Sequence, residues 1–392
     1  MKSAYGLKIP DPDLTLTAVG PGTPCGELMR RYWQPICLSD ELQDLPKRVR
    51  ILGEDLVVFR DLNGRIGLHF FRCSHRGCSL EYARIEERGI RCCYHGWLYD
   101  VEGNLVDAPF EPSNSPVFQR IKQPCYPVFE YRGVVFAYMG PPEKQPLFPE
   151  YDLLLKETGT YTARIIKGVG APVDTNWLQV HENLMDMMHL YWLHSAHSGP
   201  QFPPEYAHWP NSVDYETTAM GMRAVVNTTL PDGREWELIW ELIMPTGFIL
   251  YVGPAGDVKA RDIAWRMPID DTNQKMAQIR WQPDDEGERL NREREQLSAF
   301  GRKDNSYEHT QRYPDDKEAI ESLGPIAIHG IENMASSDRG VVMFRKMLET
   351  AIQDVAAGRD PKGIIRDPEM VKGVPTTAGS RIVGQSQRAA AG

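Results

Sequence analysis

The chain has 392 residues, 41% of them hydrophobic, and a formal net charge of −10; it is long enough for two domains with real cores. The acidic balance argues against non-specific nucleic-acid binding, and no run approaches the roughly twenty apolar residues of a membrane span. Seven cysteines, four of them between residues 73 and 93, suit a reducing compartment better than a disulfide framework, and the opening MKSAYGLKIPDPDL lacks a secretory apolar segment, so a cytoplasmic protein is expected.

In chain order, residues 1–25 read as a leader with scattered prolines, running into a short helix after the Gly-Pro turn at 20–21. Arg48 to Arg60 has strand composition, Asn63-Gly64 is a turn signal before Arg65 to Phe71, and Glu102-Gly103-Asn104 is another. Short strands at turn spacing predict a small all-β domain over 26–142, closed by Gly140-Pro141-Pro142. From about 150 the texture changes. Tyr161 to Val169 reads as a strand and Trp177 to His194 as a helix. Alternating segments follow at Gly221–Thr229, Glu235–Met244, Phe248–Val252, Lys259–Met267 and Met276–Gln282. Helices are predicted over 287–300 and 338–357, and residues 371–392 read as a flexible tail. The expected class of 150–370 is α+β, with helices against one face of an antiparallel sheet.

The first stretch with chemistry runs from Phe70 to Asp100. Two loops each offer a cysteine and a histidine: Cys73-Ser-His75 and Cys92-Cys-Tyr-His95. Two thiolates and two imidazoles suit tetrahedral zinc, or a [2Fe–2S] cluster with sulfurs on one iron and nitrogens on the other. Cys93 also stands at C-x-H spacing from His95, so geometry alone leaves the second thiolate open. With its flanks, CSHRG…CCYHGW resembles the Rieske loops of aromatic-ring oxygenases. That resemblance implies Cys73, His75, Cys92 and His95 as cluster ligands. Respiratory Rieske proteins brace these loops with a disulfide. Cys78 matches its first partner, but Tyr94 stands at the second, which favours the oxygenase type.

The second stretch is HENLMDMMHLYWLH, within the helix predicted from Trp177. Asp186 and His189 are three apart and so neighbours on a helix. His194 is five further on, which a regular helix turns away. Both histidines reach one metal only if the helix bulges or ends between them. Two histidines plus a carboxylate would make the facial triad of non-haem Fe(II), with open positions for water, O₂ and substrate. Asn183-x-x-Asp186-x-x-His189-x4-His194 resembles the mononuclear iron motif of Rieske oxygenases. By the same resemblance the acidic pair before Glu321-Ser322-Leu323-Gly324-Pro325-Ile326 supplies the third ligand at Asp316, with Asp315 as the alternative, because Leu323 stands where glutamine is usual.

What the resemblance implies goes further. It covers nearly the whole chain, including VGPGTPCGELMRRYWQP and SSDRGVVMFRKML, and points to the phthalate-dioxygenase-like branch. The expected fold is an N-terminal Rieske [2Fe–2S] domain joined to a helix-grip (START-like) catalytic domain. The expected function is that of a terminal oxygenase that hydroxylates or O-demethylates a small aromatic, carboxylated substrate with O₂. Its NAD(P)H-derived electrons come from a separate reductase, directly or through a ferredoxin, since no GxGxxG loop is present. A homotrimer is expected, with Asp186 linking a Rieske histidine of one subunit to His189 of the next and Asn183 supporting the iron pocket. Arg223, Arg261, Arg266 and Arg280 are candidates for holding a substrate carboxylate. The rival readings are a Rieske electron carrier and a helix-grip binding protein with structural zinc.

Overall fold

The structure, a computed structural model, describes residues 6–166, 174–284 and 306–384. The helix expected over 287–300 lies outside the described residues. Leu52 and Gly53 take positive φ angles of 49° and 76°. They split the strand expected over 48–60 into a hairpin, β2 (Lys47–Ile51) and β3 (Glu54–Arg60), the turn geometry that matches strand twist. Before it lie a short helix α1 (Pro24–Met29) and strand β1 (Trp33–Leu38). After it come β4 (Ile66–Phe70), β5 (Arg84–Glu86), β6 (Gly89–Arg91), β7 (Leu98–Tyr99), β8 (Leu105–Asp107), β9 (Val128–Tyr131) and β10 (Val134–Tyr138). These make three antiparallel sheets, ordered β1-β10-β9, β2-β3-β4 and β5-β6-β7-β8. The last one carries the cysteine–histidine loops at its ends, over a small apolar cluster of Val57, Phe59, Leu80, Ile85, Ile90 and Tyr99.

The rest is dominated by one large antiparallel sheet. Its strands are β12 (Thr160–Ile166), β13 (Ser212–Thr217), β14 (Gly221–Thr229), β15 (Glu235–Ile243), β16 (Gly247–Ile249), β18 (Asp262–Asp270) and β19 (Asn273–Gln282), ordered β12-β19-β18-β16-β15-β14-β13. The alternating burial of β14 shows the period-two pattern that marked it as a strand. On one face lie three helices, α2 (Trp177–Glu182), α3 (Met187–Tyr191) and α5 (Arg339–Ala356), with α4 (Asp316–Glu321) beside them. Their apolar residues, among them Trp177, Leu190 and Phe344, merge with those of the N-terminal sheets in one continuous core.

Two expectations at the ends of the chain need correcting. The leader is packed from residue 14 on, where Leu14–Thr17 forms a helical turn and Leu16 and Val19 are buried. Residues 372–383 are not a loose tail. β20 (Lys372–Val374) pairs with β11 (Glu150–Tyr151), and β21 (Gly379–Val383) pairs with β15 and with β17 (Val258–Lys259). Trp236 Nε1 donates to Ser380 Oγ at 2.7 Å. A partner strand, not local composition, orders this segment.

Candidate active site

The two N-terminal loops have nearly the same backbone. In the first, Cys73 N–H donates to Cys78 O (2.8 Å) and Gly77 N–H to Cys73 O (2.8 Å). In the second, Cys92 N–H donates to Trp97 O (2.9 Å) and Gly96 N–H to Cys92 O (3.1 Å). Gly77 and Gly96 both close their turn at positive φ, 76° and 73°. The turns bring the imidazoles of His75 and His95 together, ring centroids 4.6 Å apart. His75 is stacked on Trp97 at 4.3 Å. Cys73 and Cys92 are buried and act on each other: the Cys73 side chain draws the Cys92 thiol down, and Cys92 together with burial pushes Cys73 up. His75 Nδ1 is buried without a hydrogen-bond partner. Paired sulfurs on one side and a free ring nitrogen on the other fit a [2Fe–2S] cluster with mixed ligands. Tyr99 OH lies 3.3 Å from Cys73 Sγ. Cys78 and Cys93, both free, have their sulfurs 3.7 Å apart; Cys93, not Tyr94, faces Cys78.

The predicted helix 177–194 is broken in two ways, and both breaks shape the second site. It passes through a 3₁₀ turn, Asn183–Met185, and leaves helical geometry at Asp186 (φ −90°, ψ 81°). The Met185 carbonyl is diverted to the Tyr215 hydroxyl at 3.0 Å. Gly340 of α5 packs so closely there that a Cβ would come within 2.3 Å of the same oxygen. After α3, residues Trp192–His197 form a π-helix. The wider turn supplies what the five-residue spacing demanded, and His194 swings back beside His189, ring centroids 5.4 Å apart.

Asp316 joins them although it lies more than a hundred residues further along. Its carboxylate is 3.3 Å from His194 Nε2 and 3.7 Å from His189 Nε2, and the three donor atoms all lie within 4.8 Å of one another. Asp315 instead caps α4, its N–H taking Glu318 Oε2 at 3.1 Å. Three groups the sequence reading missed pin this segment. Gln179 donates to Ile320 O (3.1 Å) and Gly324 O (3.0 Å) and accepts from Ala327 N–H (2.7 Å). Ser198 Oγ donates to Pro314 O (2.5 Å). Gln201 Oε1 accepts from His194 Nδ1 at 2.6 Å, while its own N–H bonds His194 O at 2.9 Å. A glutamine facing inward seven residues after a candidate ligand was the available signal.

The tautomers follow. His194 Nδ1 is taken by Gln201, and His189 Nδ1 by the Asp186 main-chain carbonyl. Both Nε2 atoms therefore carry the ring lone pairs and converge on the Asp316 carboxylate, that of His189 accepting from Asn183 Nδ2. The buried His194 Nε2 makes no hydrogen bond of its own. Burial lowers the His194 pKa, but the carboxylate opposes this and the net shift is upward; the half-buried Asp316 is held below the ordinary carboxylate range by the two imidazoles. Asn183 Nδ2 sits 3.3 Å from both His189 Nε2 and Asp316 Oδ1. Two imidazoles and one carboxylate on one side of an ion are the donors of a non-haem Fe(II) facial triad. The Asp186 carboxylate makes no cap hydrogen bond to α3. It is the carbonyl of Asp186, not its side chain, that orients His189.

A second trio, Glu182, His329 and Glu332, also brings its donor atoms within 4.8 Å. There the Arg345 guanidinium already bridges both carboxylates, at 2.6 Å to Glu182 and 2.5 Å to Glu332, which satisfies the buried charge without a metal.

Residues 32–127 match the Rieske [2Fe-2S] domain family. The chain is 40% identical over 373 residues to the phenoxybenzoate dioxygenase subunit alpha of Ectopseudomonas oleovorans, spanning 92% of this chain and 90% of that protein. This chain belongs to the Rieske non-haem iron oxygenases. It is also 39% identical to the tert-butanol monooxygenase / tert-amyl alcohol desaturase oxygenase subunit of Aquincola tertiaricarbonis, over 90% of this chain and 78% of that one. Its fold resembles NdmA of Pseudomonas putida CBB5, a variant solved with caffeine, with a TM-score of 0.65 over 92% of this chain and 99% of that one at 20% identity. This Rieske oxygenase is the terminal component of a multicomponent system that uses a [2Fe–2S] cluster, mononuclear iron, O₂ and NAD(P)H-derived electrons from a reductase. No helix among its described residues is long and apolar enough to cross a membrane.

Proposed function

We propose that Cys73, His75, Cys92 and His95, in a domain over 26–142, hold the Rieske cluster. His189, His194 and Asp316, in a domain over 150–370, hold the mononuclear iron, and the enzyme hydroxylates or O-demethylates a small aromatic substrate in the cytoplasm. The observation that carries this reading is the convergence of two Nε2 lone pairs and one carboxylate, each imidazole fixed from behind through Nδ1. When bound, the cluster supplies one-electron transfer and the iron reductive activation of O₂.

The chain's own residues do the positioning. Gln201 and the Asp186 carbonyl fix both tautomers and raise ligand basicity. Asn183 touches His189 and Asp316 together and holds them in register. Among the described residues no hydrogen bond or ring contact links His75 or His95 to Asp186 or His189, which supports a junction between subunits. The half-buried Asp186 carboxylate stands next to the segment bearing exposed Trp192, and Tyr94 and Phe110 are exposed beside the cluster loops. These features support electron transfer across a subunit boundary in a homotrimer, with Asp186 taking the partner's Rieske histidine. The donor would be a reductase acting directly or through a ferredoxin.

The test is iron and sulfide analysis of anaerobically prepared protein, with an absorption spectrum and O₂ uptake against aryl carboxylates and aryl ethers in the presence of a generic reductase. An iron-to-sulfide ratio of about 3:2 and substrate-dependent uptake are expected. A ratio near 1:1 without uptake would leave an electron carrier, and zinc alone a binding protein.

A further inference from the structure

The interior face of the large sheet contains a guanidinium with no carboxylate partner among the described residues. Arg266 of β18 is 7% exposed, its Nε has no hydrogen-bond partner, and no carboxylate lies within ion-pairing distance among the described residues. Its surroundings are soft and apolar: the Phe248 ring, 4.9 Å from Cζ, and Met276 Sδ, 3.9 Å from Nη1. Other arginines shielded from solvent are not left in this state. Arg30 bonds Glu54 at 2.8 Å and three main-chain carbonyls, and Arg345 bridges Glu182 and Glu332. Among the other candidates for a carboxylate, Arg223 is held by Glu216 (2.5 Å) and Arg280 lies 3.6 Å from Asp262.

Arg266 is not isolated in its discontent. His181 of α2 is fully buried among Phe248, Phe344 and Trp177, and neither ring nitrogen has a partner; Trp177 Nε1 is unpartnered as well. Burial and the Arg266 charge keep His181 neutral, so it carries one N–H with nothing to donate to. Burial also presses Arg266 down to about 10, and the single carboxylate that opposes this is Asp316. Helix α2, which bears His181, packs against β18 and runs directly into the turn that starts at Asn183, so Arg266 and His181 lie on the side of the sheet from which the chain enters the iron-donor segment. A buried charge persists at such a cost where a ligand compensates it.

We propose that Arg266, assisted by His181, is the anion-binding end of the substrate pocket and takes a substrate carboxylate, orienting the rest of the molecule toward His189, His194 and Asp316. This rests on the oxygenase reading of that site and adds a charge requirement that the reading does not contain: relatives of almost equal identity carry the names of a carboxylate substrate and of an alcohol.

The experiment compares the full-length holoprotein with Arg266→Met and Arg266→Lys by thermal unfolding and calorimetric titration. The probes are phenoxybenzoate, phthalate and benzoate, the neutral phenoxybenzamide, and chloride. Wild-type protein should bind at least one carboxylate and melt higher with it, respond little to the amide, and not respond to chloride. Arg266→Met should melt higher than wild type when ligand-free, by a few degrees, because an uncompensated buried charge has gone. It should also lose carboxylate affinity by about 30-fold or more, with Arg266→Lys in between. A structural arginine would give the reverse, a variant that melts lower. The proposal is overturned if ligand-free Arg266→Met is less stable than wild type, if it binds the carboxylates equally well, if chloride reproduces their effect, or if wild type binds none of them. O₂ uptake with neutral aryl ethers and tertiary alcohols separates the two claims: turnover there without carboxylate binding leaves the oxygenase reading standing and removes this one.

Discussion

The cluster loops draw all four candidate donors from one stretch, Cys73 to His95, and each loop closes on itself through a cysteine carbonyl and a glycine four residues later. The iron site draws His189 and His194 from one segment and Asp316 from another. It needs a broken helix, a π turn and three polar clamps to bring them together. The first design is local and tolerates an exposed position. The second is non-local, buried and sensitive to its supports. The difference teaches where each centre should fail: the loops through their ligands and the atoms touching sulfur, the iron site also through residues that never touch metal.

The largest expected effect separates the two outright. His189→Ala or His194→Ala should abolish turnover and mononuclear iron while the visible absorption of the Rieske cluster and its sulfide content stay at wild-type levels. Loss of both centres together, measured by metal analysis and absorption, would mean that the two sites do not fold and fill independently.

Legibility in the sequence follows the same line. The strands of the large sheet were visible where alternation is strong, as in β14 and β15, because one face is buried and the period is two. β13 and β21 were not, since β13 is largely exposed and β21 is ordered by the strand it joins. The candidate cysteines and histidines were legible because their chemistry is carried by short motifs. Gln179 and Ser198 were not, because a buried polar side chain is informative only once its partner, more than a hundred residues away, is known; Gln201 lies near His194 in sequence but belongs to no motif that marks it. The five-residue gap between His189 and His194 was a clue of another kind. It was incompatible with a regular helix, and the π-helix at Trp192–His197 resolves it.

A residue with no contact to metal sharpens the comparison next. Gln201→Leu removes the acceptor on His194 Nδ1 and frees that imidazole to change tautomer or rotate. Mononuclear iron affinity or activity should fall by roughly 10–100-fold, with the cluster spectrum unchanged, while Gln201→Glu, which retains the acceptor, should recover much of it. Iron titration of the apo site reads the difference directly.

Asp186→Asn should act more selectively. His189 is oriented by the main-chain carbonyl of residue 186, so the substitution should leave iron content at wild-type level. The steady-state rate should drop by about tenfold or more if the side chain relays electrons between subunits. Single-turnover reaction of pre-reduced protein, followed by cluster reoxidation, checks this. Reoxidation as fast as in wild type would remove the relay role, and loss of iron would mean the carboxylate does support His189 after all.

The smallest effect is expected at the local centre. Tyr99→Phe deletes one hydrogen bond to Cys73 sulfur, 3.3 Å long, in a loop whose backbone bonds do not involve the phenol. The reduced cluster carries one more negative charge than the oxidised one, so a donor to sulfur stabilises the reduced form more. Removing it should lower the potential. A hydrogen bond of ~1 kcal/mol corresponds to about 40 mV for a one-electron couple, so a drop of tens of millivolts is expected by redox titration, with iron and sulfide content unchanged. The sign carries the test. A potential that rises, or a cluster that fails to assemble, would show that Tyr99 serves to seal the buried side of the loops and does not tune the sulfur, which would make this centre depend on its surroundings as the iron site does.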